Sequence, residues 1–280
     1  MTADITGPDR MQKLPMVSII TVTLNAAATL ERTLRSVIAQ DYPAIEHVII
    51  DGGSTDGTLE LIERYREHVA ILVTEPDKGI SDAFNKGISR SHGEYLGILS
   101  ADDALTPGAI TRSATRLREQ PAVGFVFGHS ALMRDGHQVT VNYGDSTYAT
   151  RIGYRMPCLN HSTMLVRRGV HDRLGLYDLR YRLAMDYDFV LRIHRQDVRG
   201  LLVDAIQTQT NLGGLSDRHW RDAYREVRDI SVAQGCPVIP AYTRFAVHLT
   251  RGLATRALRG LGLTIVISLF RRLRHRLVRY

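Results

Sequence analysis

Two adjacent carboxylates, Asp102 and Asp103, are the residues in this sequence best suited to act on one ligand together. Acids that share a loop can turn toward a single cation, and hard oxygen ligands suit Mg²⁺ or Mn²⁺. Mg²⁺ commonly takes only one or two protein carboxylates and completes its shell with phosphate oxygens and water. The plainer alternative is a solvated turn in which Asp103 caps a helix starting near Pro107. The familiar phosphate loops are missing: there is no G-x-G-x-x-G after the first strand and no G-x-x-x-x-G-K-[ST], and the zinc motif H-E-x-x-H is absent too. Phosphates held here would be held through a metal on the acids.

Those acids need elements to position them. Val17-Ser-Ile-Ile-Thr-Val-Thr23 is rich in β-branched residues and reads as a buried strand. Leu30, Leu34, Val37 and Ile38 follow at helical spacing and stop at Asp41-Tyr-Pro43. Further strands are expected over residues 46–50, 70–74, 94–99 and 123–127. Helices are marked by Leu61, Ile62, Tyr65 and Val69, by Ile80, Ala83, Phe84, Gly87 and Ile88, and by Ile110, Ala114 and Leu117. This alternation predicts an α/β fold whose mostly parallel sheet is covered on both faces. Ligands in such sheets bind beyond the carboxyl ends of the strands. Four polar clusters fall there: Thr23 to Asn25, Asp51 to Gly57, Glu75 to Gly79 and Ser100 to Asp103. Beyond residue 130 the pattern is less regular, with a helix over 186–195, a strand over 201–206, a Gly-rich loop over 211–216 and helical pattern to about Ala233.

The 280 residues are 44% apolar and 23% charged, an ordinary globular composition. Two cysteines, Cys158 and Cys236, exclude a disulfide framework and a Cys-rich zinc module. The net charge of +7 is local: residues 241–280 carry nine arginines and no acid, and removing those nine from +7 leaves −2 for the first 240. A basic tail on a near-neutral body predicts an anionic membrane surface as partner rather than nucleic acid. The apolar run over residues 260–270 is shorter than the roughly 20 residues of a bilayer span. Flanked by Arg251, Arg256, Arg259, Arg271, Arg272, Arg274, Arg276 and Arg279, it suits a helix lying in the interface. The alternative is a basic helix packed on the body or on a second subunit of a homo-oligomer. The first 15 residues are polar, so no export signal is expected.

Five segments carry a resemblance: Val17 to Asn25, Val48-Ile-Ile-Asp-Gly-Gly-Ser-Thr-Asp-Gly-Thr58, Glu75-Pro-Asp-Lys-Gly-Ile-Ser-Asp-Ala-Phe-Asn-Lys-Gly87, Gly93 to Asp103, and Met185-Asp-Tyr-Asp-Phe-Val-Leu-Arg192. In this order, over about residues 15–215, they resemble glycosyltransferase family 2, inverting enzymes of the GT-A fold. The subgroup most like this chain builds bacterial surface polysaccharides. The resemblance implies a GT-A-like, Rossmann-type α/β domain with a nucleotide-sugar-binding half over 16–130 and an acceptor-binding half over 131–240. A flexible segment, 1–15, would precede it, and a basic amphipathic membrane-associating tail, 241–280, would follow.

The resemblance also assigns roles. Asp51 matches the acid that contacts the donor base, and Gly52 stands where a second Asp is usual. Thr23 and Asn25 fall in the first nucleotide-contacting loop, and Asp77, Lys78, Asp82 and Asn85 match a segment lining the donor site. Asp102 matches the carboxylate near ribose and metal, and Asp103 the direct ligand of Mg²⁺ or Mn²⁺. An inverting transfer needs one carboxylate to take the acceptor's proton. Asp186 and Asp188 are about 200° apart on a helix, so only one can face that hydroxyl. Asp188 precedes Arg192 by four residues, an ordinary helix pair. Asp186 matches the base position, with Met185 where an acid often stands, and a helix N-cap is its plain alternative. His161 matches a histidine that contacts the acceptor or the leaving phosphate. Leu212-Gly-Gly-Leu-Ser216 resembles a closing loop whose Arg218 and His219 meet phosphate.

The expected enzyme moves a sugar from a nucleotide-diphosphate donor to a lipid-linked saccharide, on the cytoplasmic face of the cell membrane. A sugar-nucleotide nucleotidyltransferase would need a Gly-rich triphosphate loop, and Asn25-Ala-Ala-Ala28 is not one. A degenerate membrane-associated scaffold would be expected to lose Asp51, Asp102, Asp103 or Asp186, and all four are present.

Overall fold

The computed structural model describes residues 14–150, 152–154 and 159–260. The first 13 residues, Cys158, and the apolar run and arginines beyond residue 260 lie outside the described residues. The chain runs β1 (Val17–Thr23), α1 (Leu30–Ile38), β2 (Ile45–Asp51), α2 (Thr58–Arg64), β3 (Ile71–Thr74), α3 (Ile80–Arg90), β4 (Tyr95–Ser100), β5 (Ala104–Leu105), α4 (Ala109–Glu119) and β6 (Phe125–Arg134). It continues through β7 (His137–Asn142), β8 (Leu165–Arg167), α5 (Arg168–Leu174), α6 (Met185–Arg195), β9 (Gly200–Asn211), α7 (Leu215–Arg218), α8 (Trp220–Ala233) and α9 (Val238–Gly260).

The strands form one sheet in the order β3-β2-β1-β4-β8-β6-β9-β5, with β7 on β6. All seven residues of β1 are buried. Their alternation splits the core, because successive strand side chains point to opposite faces. Ile20 and Val22 pack with Val48, Ile50 and the α3 residues Ala83, Phe84 and Ile88. Val17 and Ile19 pack on the other face with Val37 of α1 and Ile110, Ala114 and Leu117 of α4. A third cluster joins Leu30, Leu34, Ile49, Leu61 and Ile62.

The expected parallel order holds from β3 to β4, where β1 pairs in parallel with both β2 and β4 and β2 with β3. It breaks at β8, which lies antiparallel to both β4 and β6. β9 pairs in parallel with β6 over most of its twelve residues, twice the length that the apolar run suggests. β6 crosses residues 130 and 131, so the two expected halves share a strand. The cap proposed for Asp103 does not form. Strand β5 intervenes, and α4 starts after Gly108 in the left-handed region, at φ 71°. The helix marked by Leu61 to Val69 ends at Arg64 and tightens into a 3₁₀ turn over Arg66–His68.

Helix α3 lies close against the sheet because Gly87 has no side chain. A methyl there would sit 2.2 Å from Cγ2 of Ile20 and 3.4 Å from Cγ1 of Ile50. Gly87→Ala should therefore destabilise the fold by about 1–3 kcal/mol, as overpacked cores do. Chemical denaturation would measure it, and an unchanged midpoint would show that α3 can shift freely.

Candidate active site

The loop after β4 is held from two sides. Arg32 of α1 donates to the carbonyl of Asp102 at 2.5 Å, and Asn211 at the end of β9 donates to the same oxygen at 2.9 Å. The hydroxyl of Thr33 donates to the carbonyl of Asp103 at 2.6 Å. The carboxyl of Asp103 is buried and pushed up to about 7, first by burial and then by the charge of Asp102. The Ser162 hydroxyl, Arg32 and the Asn211 backbone N–H oppose that rise without cancelling it. Two crowded carboxylates of this kind fit a divalent cation, whose charge would relieve both the burial and the repulsion. Among the described residues no group of three or more His, Cys, Asp or Glu could cage a cation alone. The pair suits a metal that also takes ligand phosphates.

Asp186 opens α6, and its Oδ1 accepts the N–H of Tyr187 at 2.8 Å. Burial pushes its carboxyl up to about 6, backbone N–H bonds oppose the rise, and the charge of Glu226 adds to it. Glu226 escaped the sequence reading. From α8 its carboxylate accepts the N–H groups of Arg182 at 3.0 Å, Leu183 at 2.8 Å and Ala184 at 2.8 Å. These donors belong to the segment that leads into α6, up to its N-cap position Ala184, and Glu226 satisfies them from another helix. Only a long-range contact reveals this. Asp188 points away: it pairs with Arg192 at 2.9 Å and accepts from Gln234 at 3.0 Å. The structure thus separates the two acids as helix geometry requires.

The turn His161–Thr163 lies between the acids. Ser162 bonds Asp103, while Nε2 of His161 is 2.6 Å from the hydroxyl of Tyr177, which feels the charge of Asp186. His161 also stacks on Phe84 at 5.4 Å, and burial pushes its pKa down to about 4. It is neutral at pH 7 and bonded to Tyr177. Asn85 braces the backbone of Tyr177. Its side-chain amide donates to the carbonyl of Tyr177 and accepts its N–H, both at 2.8 Å. Asp82 accepts the N–H of Lys78 at 3.0 Å and pairs with Lys86 at 3.5 Å, which holds the 75–79 loop in place.

At the ends of β1 to β3, Asp51 is fully buried. Its carboxylate accepts the N–H groups of Gly53 at 3.0 Å and Ser54 at 2.9 Å, and the Ser54 hydroxyl as well. Its oxygens are turned into their own loop. Thr23 is buried at the strand end, and its hydroxyl has no partner among the described residues. Asn25, left-handed at φ 50°, ties the loops after β1 and β2 together. Its N–H donates to Ser54 Oγ at 2.8 Å and its side-chain oxygen accepts from Thr55 at 2.9 Å. Lys78 is exposed. Arg218 and His219 are exposed on and just after α7, where Arg218 donates to the carbonyl of Gly213 at 3.0 Å and neither reaches the acids.

A separate open cleft of about 510 Å³ lies near the opposite strand ends, lined by Arg167, Arg168, Arg173 and Arg199 among others. Arg167 and Arg168 are committed there to backbone carbonyls of Val123 and Gly93.

Residues 18–175 match the model of Glycosyl transferase family 2. A PGL/p-HBAD biosynthesis glycosyltransferase of Mycobacterium bovis is 32% identical over 209 residues, covering 72% of this chain and 80% of the relative. A putative teichuronic acid biosynthesis glycosyltransferase of Bacillus subtilis, TuaG, is 28% identical over 179 residues, 60% of this chain and 68% of the relative. The fold is shared with residues 1–349 of S. aureus TarS in complex with UDP-GlcNAc, at TM-score 0.62 and 18% identity over 85% of this chain and 73% of that one. It is shared also with the mannosyltransferase PcManGT of Pyrobaculum calidifontis in complex with GDP-Man and Mn²⁺, at TM-score 0.61 and 20% identity over 91% and 81%. Against the longer TarS chain, this chain spans 39%.

A carbon-detected NMR titration should place the Asp186 carboxyl near pH 6. Glu226→Gln removes a neighbouring negative charge and should move that midpoint to lower pH. An unmoved midpoint in a folded variant would show that Glu226 has no electrostatic influence on Asp186.

Proposed function

This chain belongs to glycosyl transferase family 2, and we propose that it transfers a sugar from a nucleoside-diphosphate donor to an acceptor hydroxyl with inversion at the anomeric carbon. The observation that carries the reading is the presence of two carboxyls raised toward neutrality, buried Asp103 and half-buried Asp186, with the 161–163 turn bonded to the first and, through Tyr177, near the second. Asp186, near 6, is ionised at pH 7.5 yet basic enough to receive a proton, as a general base requires. The acceptor oxygen gives its proton to Asp186 and forms a bond to the anomeric carbon. The bond from that carbon to the donor oxygen breaks, and its electron pair leaves with the diphosphate. Attack and departure on opposite faces account for inversion. Asp102 and Asp103 would hold Mg²⁺ or Mn²⁺, which would supply positive charge to the departing diphosphate. Arg32, Thr33 and Asn211 fix the loop that carries this pair, and Glu226 fixes the helix that carries the base.

The acceptor is inferred to be a lipid-linked saccharide of a surface polysaccharide or glycolipid, a reading supported by the biosynthetic names of the relatives. The tail supports it too. Ile239, Tyr242, Val247 and Leu253 are exposed along one side of α9, and no acid occurs from residue 238 to the end of the sequence. Apolar residues on one face with arginines beside them suit an anionic interface on the cytoplasmic side. No helix among the described residues is long and apolar enough to cross a membrane.

Calorimetric titration with UDP, GDP and dTDP, each with and without Mn²⁺, tests the donor site. One nucleotide should bind only with metal, and Asp103→Ala should abolish that binding. No nucleotide binding by folded protein with lipid present would sink the transferase reading for this chain. Asp186→Asn should keep nucleotide binding while turnover falls about 10²–10⁴-fold, and the wild-type rate should decline below about pH 6. The tail should float the protein with phosphatidylglycerol vesicles but not phosphatidylcholine ones, and Ile239→Asp with Val247→Asp should weaken flotation. Equal flotation with both lipids would remove the electrostatic part of the argument.

A further inference from the structure

Helix α9 is keyed to the chain before it at a close joint. Trp220, the first residue of α8, lies against Gly252 of α9, where a methyl would sit 2.4 Å from Cζ3 and 2.9 Å from Cε3 and Cη2 of the indole. Four residues on, Arg256 covers the same ring, with its guanidinium carbon 4.2 Å from the ring centroid. That guanidinium also donates to the backbone carbonyl of Asp217 in α7 at 3.2 Å. The Asp217 carboxylate accepts the N–H of Gly213 at 3.0 Å, and Arg218 donates back to the Gly213 carbonyl at 3.0 Å. Arg256 therefore holds the 212–218 loop from a different helix.

That loop leads from one acid to the other. Asn211, just before it, bonds the Asp102 carbonyl, and Ser216 within it donates to the carbonyl of Leu183 at 3.4 Å, three residues before Asp186. Residues 213–219 are all exposed, Gly213 is left-handed at φ 94°, and α7 is a single turn of four residues. A segment so short and so solvated opens at little cost, so the contact from α9 decides how firmly it is held.

Arg256 stands on the border between two faces of α9. It is four residues after Gly252, which faces Trp220, and three after Leu253, which is exposed. Residues three and four apart are neighbours on a helix surface. The guanidinium, itself exposed, can turn to the Asp217 carbonyl or out beside Leu253. The two sides do not offer the same bond. A neutral carbonyl accepts an ordinary hydrogen bond, while a phosphate oxygen accepts a charge-assisted one roughly twice as strong.

Resting on the reading of α9 as a membrane-docking helix, we propose that Arg256 is a latch: it ties the 212–218 loop down in water, and the phosphates of an anionic lipid surface take the guanidinium and release the loop. Docking thereby opens the approach to Asp186 where an acceptor hydroxyl has to enter, and the protein in water keeps that approach covered.

The test is hydrogen exchange of the full chain alone, with phosphatidylglycerol vesicles and with phosphatidylcholine vesicles. It is read at the amides of Gly213, Asp217, Arg218 and His219, all bonded within the loop. They should exchange about fivefold faster on phosphatidylglycerol, the worth of one lost hydrogen bond, and no faster on phosphatidylcholine. Arg256→Ala leaves Arg251, Ile239 and Leu253 to meet the lipid, so it should still float with phosphatidylglycerol vesicles. It should exchange fast already in water, with no further rise on lipid. Carbodiimide labelling with glycine ethyl ester reads access to the Asp186 carboxyl. Labelling should rise on phosphatidylglycerol in the wild type and be high in Arg256→Ala without lipid. Flotation of the wild type with unchanged loop exchange overturns the latch alone, and faster exchange with unchanged Asp186 labelling overturns its control of the approach. Failure of the wild type to float overturns the membrane reading of α9 and this proposal with it.

Discussion

A carboxylate taken out of water must be compensated or it becomes neutral. Asp103 and Asp186 are both in that position, and the surrounding structure compensates them only in part. Asp103 receives a hydroxyl and a backbone N–H and has Arg32 nearby, yet burial first and the charge of Asp102 second keep it near 7. Asp186 receives backbone N–H groups and stays near 6. The shortfall is of different kinds. One site lacks positive charge, which a cation and its phosphate ligands would bring. The other lacks a proton, which an acceptor hydroxyl would bring.

Holding two such groups in fixed positions needs braces, and the braces come from distant parts of the chain. Asn85 clamps the backbone of Tyr177, 92 residues away, and Tyr177 in turn bonds His161. Asn211 closes on Asp102 across 109 residues. Glu226 gathers three N–H groups ahead of α6. Each bond satisfies a backbone or side-chain group that would be costly to bury unpaired. Polar residues that look like site residues in the sequence, Asp82 and Asn85 among them, act on the loops that carry the site.

The nucleotide end of the crevice shows the same division of labour. Asp51 spends its oxygens inside the loop after β2, and Asn25 joins that loop to the one after β1. The antiparallel strand β8 then carries the chain back beside β4 and delivers the 161–163 turn to the acids. A continued parallel order would have left that turn at the other end of the sheet.

Sequence alone determined what depends on short-range pattern. The β-branched runs of β1 and β2 and the 3.6-residue stripes of α1, α3, α4 and α6 are local periodicities, and they place Asp102, Asp103 and Asp186 on the right loops and helix start. Five ordered motifs named the family for the same reason, since each motif is contiguous. Tertiary structure alone decided which carboxylate oxygens are already used. Asp51 and Asp186 are equally acidic in sequence, but the oxygens of the first are turned onto Gly53 and Ser54. Glu226 carries no local mark at all, because its partners lie 42 to 44 residues away. Hydrogen bonding is short-ranged in space and indifferent to separation along the chain, so only the folded molecule shows which acids remain free for chemistry.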